Sequence, residues 1–142
     1  VRVDNPQQAV KGADLIVTAT TADEPLIRKE WIEPGMFIAK VGSYQEIEPE
    51  IIIKADKVVV DWWEYVSKRV KELTMLINAG LLDREHVHAE LPEIVTGLKS
   101  GRETDKEIIL FVSIGMGVED AATAFYVYNQ ALKLEIGKWL EP

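Results

Sequence analysis

The chain has 142 residues and a formal net charge of −8, with 47% hydrophobic and 28% charged residues, which is one domain's worth of globular sequence. The acidic balance argues against a nucleic-acid partner, which requires clustered Lys and Arg. No apolar run reaches the ~20 residues of a membrane span, and the first residues do not resemble a signal peptide. The lack of cysteine excludes disulfides and thiolate chemistry, a set of features that fits the cytoplasm.

In chain order, Val1-Arg2-Val3 reads as a strand stub, and Asn5-Pro6 starts a short helix that ends at Gly12. Leu15 to Thr20 is a β-branched run of the kind buried in parallel sheets. Pro25, Leu26 and Trp31 belong to a short helical crossover, Pro34-Gly35 is a turn, and Met36 to Val41 forms the next strand, closed by Gly42. Ile51 to Ala55 suggests a short helix and Lys57 to Asp61 a further strand. After Trp62-Trp63, the helical spacing of Val66, Val70, Leu73 and Ile77 predicts one helix capped by Gly80. A short helix is expected around Leu91 to Leu98 and a strand over Ile108 to Val112. A long final helix then presents Ala121, Ala122, Phe125, Tyr128 and Leu132 on one face and ends near Gly137.

Strands alternating with short helices predict an α/β fold with a mainly parallel sheet. Such sheets bind ligands at the carboxyl ends of their strands, which singles out Thr20-Thr21, Gly42-Ser43, Asp61 and Ser113. Asp61 either caps the following helix or faces a ligand, and capping is the commoner role. His86, His88 and Glu90 are a conceivable metal set, but three ligands within five residues do not converge easily, and a solvated helix entry is preferred. No metal site is expected.

The stretch TDKEIILFVSIGMGVEDAATA, from Thr104, is the most specific segment. It resembles the signature of the ornithine cyclodeaminase/mu-crystallin family, T-D-x-E-x-T-L-F-x-S-x-G-x-A-x-E-D. Thr104, Asp105, Glu107, Leu110, Phe111, Ser113, Gly115, Glu119 and Asp120 match in register, and Gly117 replaces the usual alanine. The resemblance continues through GADLIVTATTADEPLI from Gly12, PGMFIAKVGSY from Pro34 and ADKVVVD from Ala55. The whole chain aligns in order with the C-terminal part of the family only. It has no G-x-G-x-x-G after a first strand, and the family's N-terminal, substrate-gripping region has no counterpart. The expectation is therefore residues 1–142 of a partial Rossmann-like fold with a returning C-terminal helix, the glycine-loop half being absent. An uncovered sheet edge follows from this, and with it self-association.

The resemblance implies NAD or NADP as cofactor, contacted by Ala19, Thr20 and Thr21 after one strand, Val41, Gly42 and Ser43 after the next, and Ser113 near the nicotinamide carboxamide. For the threonines, an ordinary strand or capping role stays open. Tyr44 stands where cyclodeaminases carry the aspartate that moves a proton, and a phenol is a poor base at neutral pH. Tyr44 is read either as a catalytic hydrogen-bond donor or as a packing residue. Glu46 replaces a common proline and Glu48 a lysine; both are expected to be solvated. The implied protein is an amino- or imino-acid oxidoreductase, of ketimine reductase or amino-acid dehydrogenase type. Ornithine cyclodeaminase and a non-catalytic binding module or subunit are the alternatives. The expected partners are an amino- or imino-acid substrate and either a second copy or the missing N-terminal half.

Overall fold

A computed structural model describes residues 2–140. Its centre is a five-stranded, wholly parallel sheet of β1 (Leu15–Thr18), β2 (Phe37–Val41), β3 (Lys57–Val60), β4 (Ala89–Glu90) and β5 (Ile109–Ser113). In space the order is β1-β2-β5-β3-β4. The expected α/β class and parallel sheet are therefore present. β1, β2 and β3 are the expected β-branched and aliphatic runs, trimmed by a residue or two at one end; β5 is shifted one residue onward to include Ser113, and β4 was not expected. Arg2 and Val3 are irregular rather than extended in a strand, and Val1 lies outside the described residues.

Register decides what each face carries, because side chains alternate along a strand. Ile16, Ile38, Leu110 and Val58 form one row, and Thr18, Lys40, Val112 and Val60 the next. This face is covered by α1 (Pro6–Val10), α2 (Glu50–Lys54), α3 (Trp63–Arg69) and α4 (Lys71–Asn78). Val10, Ile51, Ile52, Val66, Val70 and Leu73 complete the core there. The opposite face carries Leu15, Phe37, Ile109 and Lys57, then Val17, Ala39, Phe111 and Val59. Towards β3 it meets α5 (Leu91–Val95), whose Leu91 and Ile94 help line a cavity of about 250 Å³. At the β1 edge it is bare, with Leu15 and Val17 more than half exposed.

Four elements differ from expectation. The helix predicted through Val66 and Ile77 is two helices, because Val70 is extended (φ −81°, ψ 120°). The Val66, Val70, Leu73, Ile77 spacing survives the break, which is why periodicity hides it. The predicted crossover at Pro25–Trp31 contains only a 3-10 turn, Lys29–Trp31; the main-chain N–H groups of Leu26 and Ile27 instead donate to Glu46 O, and Ile27 bridges Ile47. The helix expected to Leu98 stops at Val95, preceded by the two-residue β4. Finally, α6 (Gly117–Lys133) is long, as predicted, with Glu119 accepting from Met116 N in its first turn, but none of its residues is buried. Its apolar stripe, including Phe125, Tyr128 and Leu132, stays exposed, and Tyr128 and Leu132 border an open groove with Ile136 and Trp139 of the segment that follows.

Candidate functional site

The exits of β1, β2 and β5 lie side by side, since β2 pairs with both neighbours. They bring the sequence-predicted residues into one row. Ala19, Thr20 and Thr21 leave β1 on an exposed segment, where Thr20 Oγ1 accepts from Ala22 N. Val41 is in register with Ser113, and the next residue, Gly42, donates its N–H to Ser113 O at 2.8 Å. Gly42 has φ +129°, a region that side chains disfavour, and a Cβ built there would meet nothing within 4 Å. Gly115, at φ +79°, is equally open. Two turns thus leave bare backbone at the strand ends, a surface on which a flat group can lie closely.

Ser113 is buried and held from behind by Asp61. The Asp61 carboxylate accepts from Ser113 Oγ at 2.9 Å, Ile114 N at 3.0 Å, Gly115 N at 3.1 Å and Trp62 N at 2.7 Å. Asp61 therefore does not cap α3, whose first turn has no side-chain cap. Its Oδ2 serves the β5–α6 turn, which it fastens to the end of β3. Beside it Trp62 is half exposed and stacks on Tyr65, centroids 6.0 Å apart, with the Arg69 guanidinium over the Tyr65 ring.

Ser43 is exposed, and its carbonyl accepts from Lys71 N at 3.4 Å. That contact exists because the break at Val70 turns α4 towards the β2 exit. Tyr44 follows on the same loop, 42% exposed, and among the described residues its hydroxyl makes no hydrogen bond.

Sequence reasoning missed the charged groups beneath this row. Lys40, Glu46 and Glu72 are all fully buried, so the expectation that Glu46 is solvated is overturned. Lys40 Nζ donates to Gly42 O at 2.6 Å and lies 3.3 Å from Glu72 Oε2, an ion pair without an aligned hydrogen bond. Glu72 Oε1 accepts from Glu46 N at 2.9 Å and Ile47 N at 3.2 Å. Glu46 in turn accepts from Thr18 Oγ1 at 3.0 Å and from Thr20 N. Burial pushes the Lys40 ammonium below its usual range, with Glu72 and then Glu46 opposing that shift. One signal was available: Lys40 shares a face with Ile38 in an apolar strand, and Glu72 adjoins Leu73 on the inward side of its helix. Glu48, half-buried, accepts from Lys29 N at 2.8 Å and pairs with Arg28 at 3.5 Å.

The two histidines lie elsewhere. His86 Nδ1 meets Asp83 at 2.8 Å at the start of a 3-10 turn, and His88 Nε2 meets Ser100 O at 2.9 Å. Among the described residues no group of three metal-ligating side chains converges, and no helix is long and apolar enough to cross a membrane.

Comparison with known proteins places this geometry. The sequence profile of the ornithine cyclodeaminase/mu-crystallin family matches residues 1–135. The chain is 39% identical over 140 residues to the N-((2S)-2-amino-2-carboxyethyl)-L-glutamate dehydrogenase of Staphylococcus aureus, covering 99% of this chain and 41% of that protein. It is also 39% identical to a Delta(1)-pyrroline-2-carboxylate reductase of Bacillus cereus, covering 96% and 43% respectively. Among solved structures it superposes on the Thermococcus litoralis Delta(1)-pyrroline-2-carboxylate reductase in complex with NADH and L-proline, with a TM-score of 0.88 and 38% identity over 97% of this chain and 44% of that one. An archaeal alanine dehydrogenase dimer with bound NAD gives a TM-score of 0.83 and 36% identity, covering 99% and 44%. The chain spans less than half the length of these relatives.

Proposed function

The chain belongs to the ornithine cyclodeaminase/mu-crystallin family, and on that premise we propose that it is the nicotinamide-side part of an NAD(P)-dependent amino- or imino-acid oxidoreductase. The observation that carries this reading is the row of three parallel strand ends with open glycine turns at Gly42 and Gly115. Ligands of open α/β sheets sit at such ends. The relatives with NADH or NAD bound are built on the same frame.

In this reading the cofactor, when bound, supplies the hydride chemistry, exchanging hydride with the Cα of an amino or imino acid. The chain's own residues position and shield it. Val41, Gly42 and Ser43 offer backbone to one side of the ring, and Ser113, held by Asp61, faces the carboxamide. Ala19, Thr20 and Thr21 line the approach from β1. Tyr44 is exposed and stands where cyclodeaminases carry an aspartate, which favours ketimine reduction or amino-acid dehydrogenation over ornithine cyclodeamination. Its role is to donate a hydrogen bond rather than to take a proton. A net charge of −8 speaks against a nucleic-acid partner, and the reading is of a cytoplasmic metabolic protein.

A second reading has its own observation. The bare β1 edge, the exposed stripe of α6 and the lack of a G-x-G-x-x-G loop describe a unit completed by another chain segment or copy. Light scattering on the purified chain tests self-association: oligomers that grow with concentration are expected, and a monodisperse monomer at high concentration would overturn it.

The cofactor reading is tested by titrating the chain with NADH and with NADPH while following quenching of its four tryptophans. Saturable micromolar quenching by either is expected. If neither nucleotide quenches, the retained strand ends are not a working half-site.

A further inference from the structure

We infer that Lys40, Glu72 and Glu46 form a buried positioning brace that fixes the Gly42 turn and the β1 exit in the geometry a nicotinamide nucleotide requires. The inference rests on the cofactor reading above and names residues that no part of that reading uses.

The three side chains face away from the open surface, so they touch no ligand. Two of their contacts end at the strand exits themselves, on Gly42 O and Thr20 N, and the others tie those segments to the core and to one another. The peptide after Gly42 is held through its carbonyl by Lys40 at 2.6 Å, while the N–H of Gly42 is held by Ser113 O at 2.8 Å. Glu72 holds the far end of the same loop through the N–H groups of Glu46 and Ile47. Glu46 then crosses to β1 and holds Thr18 Oγ1 and Thr20 N. Residues far apart in sequence thus lock the β1 and β2 exits to each other, and Gly42 couples both to β5.

Stability alone does not call for this arrangement. Replacing a buried ion pair by well-packed neutral side chains is often neutral or stabilising, so three ionisable groups at complete burial are an expensive way to fill a core. Their placement is economical only if the direction of the Gly42 carbonyl and of the Thr20 amide matters. A supporting shell that leaves the adjoining turn loose produces a site that is present but imprecise.

The test uses the full chain and the double substitution Lys40→Met with Glu72→Gln. It removes the ion pair as a unit, while the glutamine oxygen still accepts from Glu46 N and Ile47 N. The expected result is a folded protein whose NADH affinity falls roughly tenfold. The emission of bound NADH should shift towards that of the free nucleotide, and the Gly42 amide should exchange faster while those of Ile38 and Leu110 keep their protection. Glu46→Gln gives an independent reading should the double variant fail to fold. It gives up one of the two acceptors facing Thr18 and Thr20, so faster exchange at Thr20 and weaker NADH binding are expected. Unchanged NADH binding and unchanged Gly42 exchange in a folded variant would overturn the brace. So would a uniform loss of protection, which marks a merely structural role. If the unsubstituted chain binds no nucleotide, the cofactor reading falls instead, and Gly42 exchange alone still decides whether the brace holds the turn.

Discussion

Two lysines in the sheet invite comparison. Lys40 on β2 and Lys57 at the start of β3 each sit between two glutamates, Lys40 with Glu72 and Glu46, Lys57 with Glu103 and Glu107. The first cluster is closed off from solvent, and burial outweighs its carboxylates, so the Lys40 ammonium is pushed down. The second opens to solvent through Glu103, and hydrogen bonding to Glu103 outweighs desolvation, so the Lys57 ammonium is pushed up. The same residue types therefore give opposite shifts, decided by how much water is left. The location follows the same division. The dry cluster underlies the strand exits where the candidate site lies, and the wet one ties the loop around Gly101 to Glu107 to the opposite end of the sheet.

The largest expected effect breaks the dry cluster. Lys40→Met alone leaves Glu72 as an uncompensated buried charge and should cost about 3–5 kcal/mol in chemical denaturation, whereas adding Glu72→Gln should recover most of that loss. If Lys40→Met cost no more than Lys57→Met, the contrast between the two clusters would be wrong.

Next comes the seat of the wet cluster. Gly35 has φ +92°, and a Cβ there would lie 2.6 Å from Asp105 O. It also donates to Lys106 O and accepts from Arg102, both in the loop that carries Glu103 and Glu107. Gly35→Ala should destabilise by about 1–3 kcal/mol and loosen that loop first, visible as lost amide protection at Gly35. An alanine variant with unchanged melting would remove the claim that the turn needs glycine.

The pH dependence sharpens the comparison with smaller effects. Lys57 is raised above its ordinary 10.5, so its contribution is fully present below that value and is lost as pH rises through its folded value. Lys40 is lowered, so the unfolded chain holds the proton more tightly than the folded one. Stability from this group therefore rises with pH between its folded value and 10.5. The alkaline arms of Lys57→Met and of the Lys40→Met, Glu72→Gln pair should deviate from the parent in opposite senses. Backbone N–H donation from Glu103 holds Glu107 below its ordinary 4.5, and Lys57 does the same for Glu103. Their contribution is present above 4.5 and lost as pH falls through their folded values. Exposure to solvent keeps the Glu103 part small. Identical alkaline arms in all three proteins would dissolve the distinction.

Much of this was legible in the amino-acid sequence. Val58-Val59-Val60 and Ile109 to Val112 are apolar runs long enough for a strand and too short for a helix, and parallel pairing followed from the helices between them. The segment from Thr104 to Asp120 carried the family. The strand-exit residues Thr20, Gly42 and Ser113 followed from the rule that open sheets bind at carboxyl ends, and the sheet order puts them side by side. These features are local or depend only on the order of elements, and a hydrophobic pattern with a few glycines specifies them.

Only the tertiary structure decided the rest. In the sequence Glu46 is one acid among several in a polar loop, Lys40 one base before a glycine and Glu72 one acid on a charged helix. Glu72 meets the other two across 26 and 32 residues of chain, and that meeting depends on the break at Val70, which a preserved helical spacing conceals. Asp61 reads as a cap until the β5–α6 turn is folded over it, and the stripe of α6 reads as one helical face whose exposure only the fold reveals. Periodicity tells which side of an element avoids water. It does not tell which partner waits there, because that depends on long-range coincidences in three dimensions that leave no regular trace along the chain.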